Sequence, residues 1–76
     1  DYTRVRILSA LAISELCVTD ICRILEINQT TVSHQLRFLK SAGMVKCCRQ
    51  GRIIFYSLVD DTITDVILKG IEFLGC

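Results

Sequence analysis

From Ile27 to Val59 the chain has no aspartate and no glutamate. Five cations stand in that span, Arg37, Lys40, Lys46, Arg49 and Arg52, while the remainder carries four basic and eight acidic residues. The net charge of +1 is thus a +5 middle set between ends that sum to −4. Such a distribution is an electrostatic footprint aimed at a polyanion. Other absences narrow the field. There is no proline, no low-complexity tract and no internal repeat, so nothing divides the 76 residues, which read as one small domain. No stretch reads as a signal peptide and no apolar run is long enough to span a membrane. Five cysteines, an odd number, argue against a secreted disulfide scaffold and for a reducing cytoplasm. No nucleophile stands with a base, no glycine-rich loop offers itself to phosphate, and no carboxylate pair sits in a polar stretch, so the sequence does not read as an enzyme.

What is present centres on Asn28 to Gly43, NQTTVSHQLRFLKSAG, which predicts one helix with both ends marked. The Asn28 side chain can accept from the orphan N–H groups of a first turn, and Gly43 enters the left-handed region without a Cβ penalty. Val32, Leu36 and Leu39 recur at spacings of four and three, a one-face pattern. The rest of the helix carries Thr30, Thr31, Ser33, His34, Gln35, Arg37 and Lys40, without a carboxylate. Hydroxyls and amides can meet base edges, and Arg and Lys neutralise phosphate. A polar helix face is ordinarily just solvated. Its flanks favour DNA recognition here: a short capped helix before it and a basic hairpin after it.

In chain order, Thr3 to Ala12 predicts a helix with Val5, Leu8, Leu11 and Ala12 on one face. Ser14 to Cys17 reads as a connector into a second helix, with Thr19 as cap, Asp20 in the first turn, and Ile21, Ile24 and Leu25 as its buried stripe. Glu26-Ile27-Asn28 is then the tight turn of a helix-turn-helix unit. The usual turn glycine is missing, so Glu26 or Asn28 must supply the geometry. Past Gly43 the period becomes strand-like. Met44 to Arg49 and Arg52 to Leu58 predict a hairpin turning at Gln50-Gly51. Arg49, Gln50 and Arg52 fall at its tip, a wing whose cations reach phosphate beside the helix. Asp60 to Leu74 predicts a last amphipathic helix with Ile63, Val66, Ile67, Ile71 and Leu74 on its stripe. With 51% hydrophobic residues the chain is apolar for its size. A second copy of itself is the simplest partner for that surplus, and pairing through the last helix is expected. The fold class is therefore α+β, mainly α: a winged helix-turn-helix with a two-stranded wing and a C-terminal dimerisation helix.

Glu15-Leu16-Cys17-Val18, Val32-Ser33-His34-Gln35-Leu36, and Arg49-Gln50-Gly51-Arg52 followed by Tyr56-Ser57-Leu58 together resemble the ArsR/SmtB family of metal-sensing bacterial repressors. Asp1 to Leu8 is similar to the family's D-P-x-R-x-x-I-L start, with Tyr2 in place of the proline, and the family's first helix would precede Asp1. The resemblance implies a homodimeric repressor that binds double-stranded operator DNA and leaves it when an inducer binds. Carried over, Gln29, Thr30, Ser33, His34 and Gln35 would be base and backbone contacts, and Arg49 and Arg52 wing contacts. Arg37 and Lys40 would add phosphate neutralisation.

The inducer is expected to be a thiophilic metal or metalloid, arsenite or a soft divalent ion such as Cd, Pb or Zn. One family site uses Asp, His, His and Glu or His on paired last helices. The matching positions here are Asp60, Thr62, Phe73 and Cys76, and threonine and phenylalanine are poor zinc ligands, so no hard zinc site is expected there. A second family site follows the pattern C-V-C-D-x-C. The stretch here is Cys17-Val18-Thr19-Asp20-Ile21-Cys22, which keeps Cys17 and Cys22 as thiolate candidates. The alternative for each cysteine is a small buried apolar side chain. Cys47 and Cys48, adjacent on a strand, must point to opposite faces, so at most one is buried. Cys76 admits a thiol-based redox reading, by meeting a cysteine of a second subunit. A winged-helix module that binds protein instead of DNA is the remaining rival.

Overall fold

The computed structural model describes residues 1–59. The expected last helix, with Asp60, Thr62, Phe73 and Cys76, lies outside the described residues. The elements run α1 (Tyr2–Ile13), β1 (Leu16–Cys17), α2 (Val18–Leu25), α3 (Gln29–Ser41), β2 (Val45–Gln50) and β3 (Ile53–Leu58). The strands form one antiparallel sheet in the order β1-β3-β2. This is the winged helix-turn-helix arrangement, three helices and a small sheet.

Helices α1 and α3 are each started by a side-chain cap. The Asp1 carboxylate accepts from the Thr3 N–H at 2.9 Å and starts α1. The Asn28 side chain accepts from the Thr31 N–H at 2.8 Å and starts α3, as the sequence predicts. The far end of α3 is closed by two backbone bonds, Gly43 N–H to Lys40 O at 3.0 Å and Met44 N–H to Leu39 O at 2.9 Å. With Gly43 at φ 78 this is a Schellman closure, and it aims the chain into β2.

The core joins Ile7 and Leu11 of α1, Ile21 of α2, Val32, Leu36 and Leu39 of α3, and Val45 of β2. The α3 stripe matches the sequence pattern. On α1 it differs: Ile7 and Leu11 are buried, whereas Val5 is 57% exposed and Ala12 is exposed. The inward row of α1 runs Arg4, Ile7, Leu8, Leu11, at helical spacings of three, one and three. An arginine at the head of that row hides it from an apolar-periodicity count. Ile24, expected in the stripe of α2, is 58% exposed. That helix is eight residues long and turns only Ile21 fully inward.

Two further differences concern α2. It begins at Val18 with Cys17 at the cap position, and no side chain caps it, so Thr19 is not the cap. Leu16 and Cys17, expected as a connector, form a short strand against Tyr56 and Phe55. Two residues are too short for a sequence period to register, and their pairing partner lies some forty residues away.

The wing is a regular hairpin from Val45↔Leu58 to Gln50↔Ile53, so the two-residue loop is Gly51-Arg52, one residue later than the expected Gln50-Gly51, because Gln50 still pairs in the ladder. Of these two only Gly51 has positive φ, at 66. Glycine at the first central position with that sign matches a type II′ turn, whose twist suits the flanking strands. Val45 and Cys47 face the core, and Cys48 is exposed on the opposite face.

Candidate nucleic-acid interface

The exposed side of α3 presents polar side chains. Gln29, Thr30, Ser33, His34 and Arg37 line one open groove of about 350 Å³. These are positions i, i+1, i+4, i+5 and i+8 of the helix, one continuous flank beside the Val32, Leu36, Leu39 stripe. The core stripe therefore dictates which side chains the helix offers outward. Gln29, Thr30, His34 and Arg37 are exposed and Ser33 is half-buried. An amide, two hydroxyls, an imidazole and a guanidinium on one surface can donate to phosphate and exchange hydrogen bonds with base edges.

Not every expected contact belongs to that groove. At about 100° per residue, Gln35 falls on the far flank of α3. There its Oε1 accepts from Arg4 Nε of α1 at 2.7 Å. Lys40 is half-buried towards the end of the helix. Arg49 and Arg52 are both exposed, at the end of β2 and in the loop of the wing.

Tyr56 of β3 lies within the field of Arg37. Burial pushes its phenol above the ordinary value of 10.0, and the Arg37 guanidinium pulls the other way. Arg37 thus borders the groove while its charge is felt by the strand that carries the wing.

Two arginines of α1 hold the unit from behind. The Arg4 guanidinium also lies over the Phe38 ring, 3.6 Å from its centroid. Arg6 Nη2 donates to the Leu25 carbonyl, in the last turn of α2, at 2.8 Å. Sequence reasoning gave neither residue a role; the available signal was an arginine on the inward row of an otherwise apolar helix.

The thiols are dispersed. Cys17 lines a second groove of about 450 Å³ with Val18, Thr19, Asp20, Arg52, Ile53 and Ile54. Cys22 instead packs against the core. Cys17, Cys22 and Cys48 are free thiols. Cys17 and Cys48 both pair with Phe55, from opposite sides, and so share the outer face of the sheet. Among the described residues no three His, Cys, Asp or Glu side chains come together as a metal site. The described residues therefore do not by themselves fit a closed thiolate centre. No helix among them is long and apolar enough to cross a membrane.

A three-helix core that ends in a capped helix, followed by a basic wing, defines the winged helix-turn-helix class of regulators. The profile of the arsR family of bacterial regulatory proteins matches residues 1–46, and the chain belongs to that family, one of regulators and not of enzymes. It is 44% identical over 74 residues, 97% of the chain, to a transcriptional repressor SmtB homolog of Synechocystis, and spans 56% of that protein. It is 40% identical over 71 residues, 92% of the chain, to a cadmium resistance transcriptional regulatory protein CadC homolog of Staphylococcus aureus, and spans 59% of it. The chain thus spans little more than half the length of these curated relatives. Among solved structures it is similar to the homodimeric winged helix-turn-helix DNA-binding domain Mb0332 of Mycobacterium bovis. The TM-score there is 0.77 at 29% identity, covering 93% of this chain and 68% of the other.

Proposed function

We propose that this chain is the DNA-reading unit of a homodimeric repressor, with α3 in the major groove and the wing alongside. The observation that carries the proposal is the groove lined by Gln29, Thr30, Ser33, His34 and Arg37, on a span without a single carboxylate. Gln29, Thr30, Ser33 and His34 meet bases and backbone. Arg37, Lys40, Arg49 and Arg52 supply phosphate neutralisation. Gln35 joins them as a contact only if its NH2 reaches past the Arg4 tether. Pairing of two copies through the segment beyond Val59 presents two such units to one duplex, in keeping with the homodimeric Mb0332 domain.

The test is a salt titration of duplex binding by the full-length protein. Log affinity should fall with log salt at about 0.9 per phosphate neutralised, and Arg37→Gln or Arg52→Gln should each lower the slope of the dimer by about 1.8, about 0.9 for each subunit. A salt-independent affinity would favour the protein-interaction module.

Release from the operator is assigned to a thiophilic metal or metalloid, on the strength of the cadmium-resistance relative and of the free thiols Cys17 and Cys22. Cys17 stands beside Asp20, but Cys22 faces the core, so the pair needs ligands from elsewhere to complete a centre. Titrating the reduced full-length protein with arsenite, Cd(II), Pb(II) and Zn(II), while following thiolate absorption and DNA release together, decides the matter. The exposed free thiol of Cys48 favours a redox response as the second reading. An oxidant that releases DNA where none of the metals does would select it.

A further inference from the structure

The recognition helix is gripped at its middle by a residue from outside the helix-turn-helix unit. Arg4 stands on the inward row of α1, three residues before Ile7, and is half-buried. Its Nε donates to Gln35 Oε1 at 2.7 Å, and its Cζ lies 3.6 Å from the Phe38 ring centroid. Gln35 and Phe38 are i and i+3 on α3, so one planar guanidinium touches two neighbouring positions of a single flank. Arginine has donors and no acceptor, so the amide must turn its oxygen towards Arg4. Two residues further along, Arg6 reaches the Leu25 carbonyl in the last turn of α2. One helix thereby holds both helices of the reading unit, by side chains that share no groove with the DNA face.

We propose that Arg4 is a positioning residue for operator recognition: through Gln35 and Phe38 it sets the rotation and tilt at which α3 offers its outward groove to the duplex. The inference rests on the DNA-reading proposal above and deepens it. Gln35 is then a fixture of the clamp, and its part in recognition is indirect. The physical demand is strict, because the groove residues must meet base edges within hydrogen-bond reach. A small rotation of α3 would cost base contacts while leaving phosphate attraction, which is less exacting, in place.

Substitutions at Gln35 separate the clamp from a direct DNA contact by sign. In Q35E the carboxylate still accepts from Arg4 Nε, as a charge-assisted bond, and the clamp persists. Q35L removes the acceptor. A Gln35 that touched DNA would give the opposite order, since a carboxylate facing DNA is repelled. The probes are a duplex selected by the wild-type full-length protein from a randomised library and a scrambled duplex of the same composition. The readout is the ratio of the two affinities, which cancels any general change in the field.

The clamp predicts that Q35L and R4M lower this ratio about tenfold, the scale of one base contact. It also predicts that the scrambled duplex keeps its affinity and salt slope, and that Q35E stays within about twofold of wild type on the scale of that loss. R4K, which keeps the charge but not the flat fork, should behave as R4M. Where R4M fails to fold, Q35L and Q35E still decide. Q35E falling below Q35L overturns the inference. So does a ratio that Q35L leaves unchanged, or an R4M salt slope reduced by about 1.8, about 0.9 for each subunit of the dimer, which would make Arg4 a phosphate contact. Wild-type protein that selects no duplex overturns the DNA-reading proposal itself, and this inference with it.

Discussion

Glu26 closes α2 with φ 56 and ψ 46, a left-handed conformation on a residue that has a Cβ. Its N–H and that of Ile27 both reach the Cys22 carbonyl, and Arg6 meets the Leu25 carbonyl beside it. The turn geometry is therefore held by its hydrogen bonds against a steric cost. Glu26→Gly should raise stability by about 1 kcal/mol, net of the backbone entropy that glycine adds to the unfolded chain. Denaturant midpoints check this, and a loss of stability would mean that the Glu26 side chain holds something of its own. Tyr56 makes a second prediction. A phenol held above 10.0 keeps its proton longer in the folded chain than in the unfolded one. Stability is thus unaffected below the unfolded value and falls as pH rises past it. Tyr56→Phe should abolish that alkaline fall, measured as the unfolding midpoint against pH. At this scale the sequence spoke unevenly. The sequence leaves the turn geometry to Glu26 or Asn28 because the turn lacks glycine, and the left-handed conformation falls on Glu26. The sequence marks Arg4 in the D-P-x-R-x-x-I-L start but gives neither Arg4 nor Arg6 a partner, since those partners come from helices far along the chain.

Among the elements, α3 was the most legible, because its stop and start are written locally. Asn28 caps, Gly43 closes, and Val32, Leu36 and Leu39 fix the buried side. Asn28→Ala should cost about 1 kcal/mol and fray the turn that carries Gln29 and Thr30. Amide exchange at Thr31 reports this directly; unchanged protection there would contradict the cap. The wing was legible too, from its β-branched run and Gly51. A Cβ at Gly51 would meet nothing within 4 Å, so replacement costs backbone strain alone. Gly51→Ala should weaken the β2–β3 hairpin by about 1 kcal/mol, seen as faster exchange at Gln50 and Ile53 and not as loss of the core. What stayed hidden was β1. Its two residues carry no period, and its place in the sheet depends on Phe55 and Tyr56 of a distant strand. The start of α2 moved with it, since Cys17 enters the sheet and takes the position expected for a capping Thr19.

For the molecule as a whole, the folding pattern and the charge pattern coincide. The span without carboxylates covers α3, β2 and β3, the elements that carry the groove and the wing. Likeness to the SmtB and CadC homologs and to the Mb0332 domain runs over nearly all of the chain. The thiols follow a different logic, with Cys17 in an outer groove, Cys22 against the core and Cys48 on the outer face of the wing. The family resemblance grouped Cys17 with Cys22, but the cap position and the helix send them to different surroundings.

The central claim is that the outward groove of α3 and the tip of the wing form the surface that meets DNA. Backbone amide shifts of the full-length protein, followed by NMR as a selected duplex is added, test it most directly. The largest changes should fall at Gln29, Thr30, Ser33, His34, Arg37, Arg49 and Arg52, with Ile13 and Ile24, exposed elsewhere, nearly unmoved. Changes centred on Ile13 and Ile24, with the groove of α3 silent, would contradict the account.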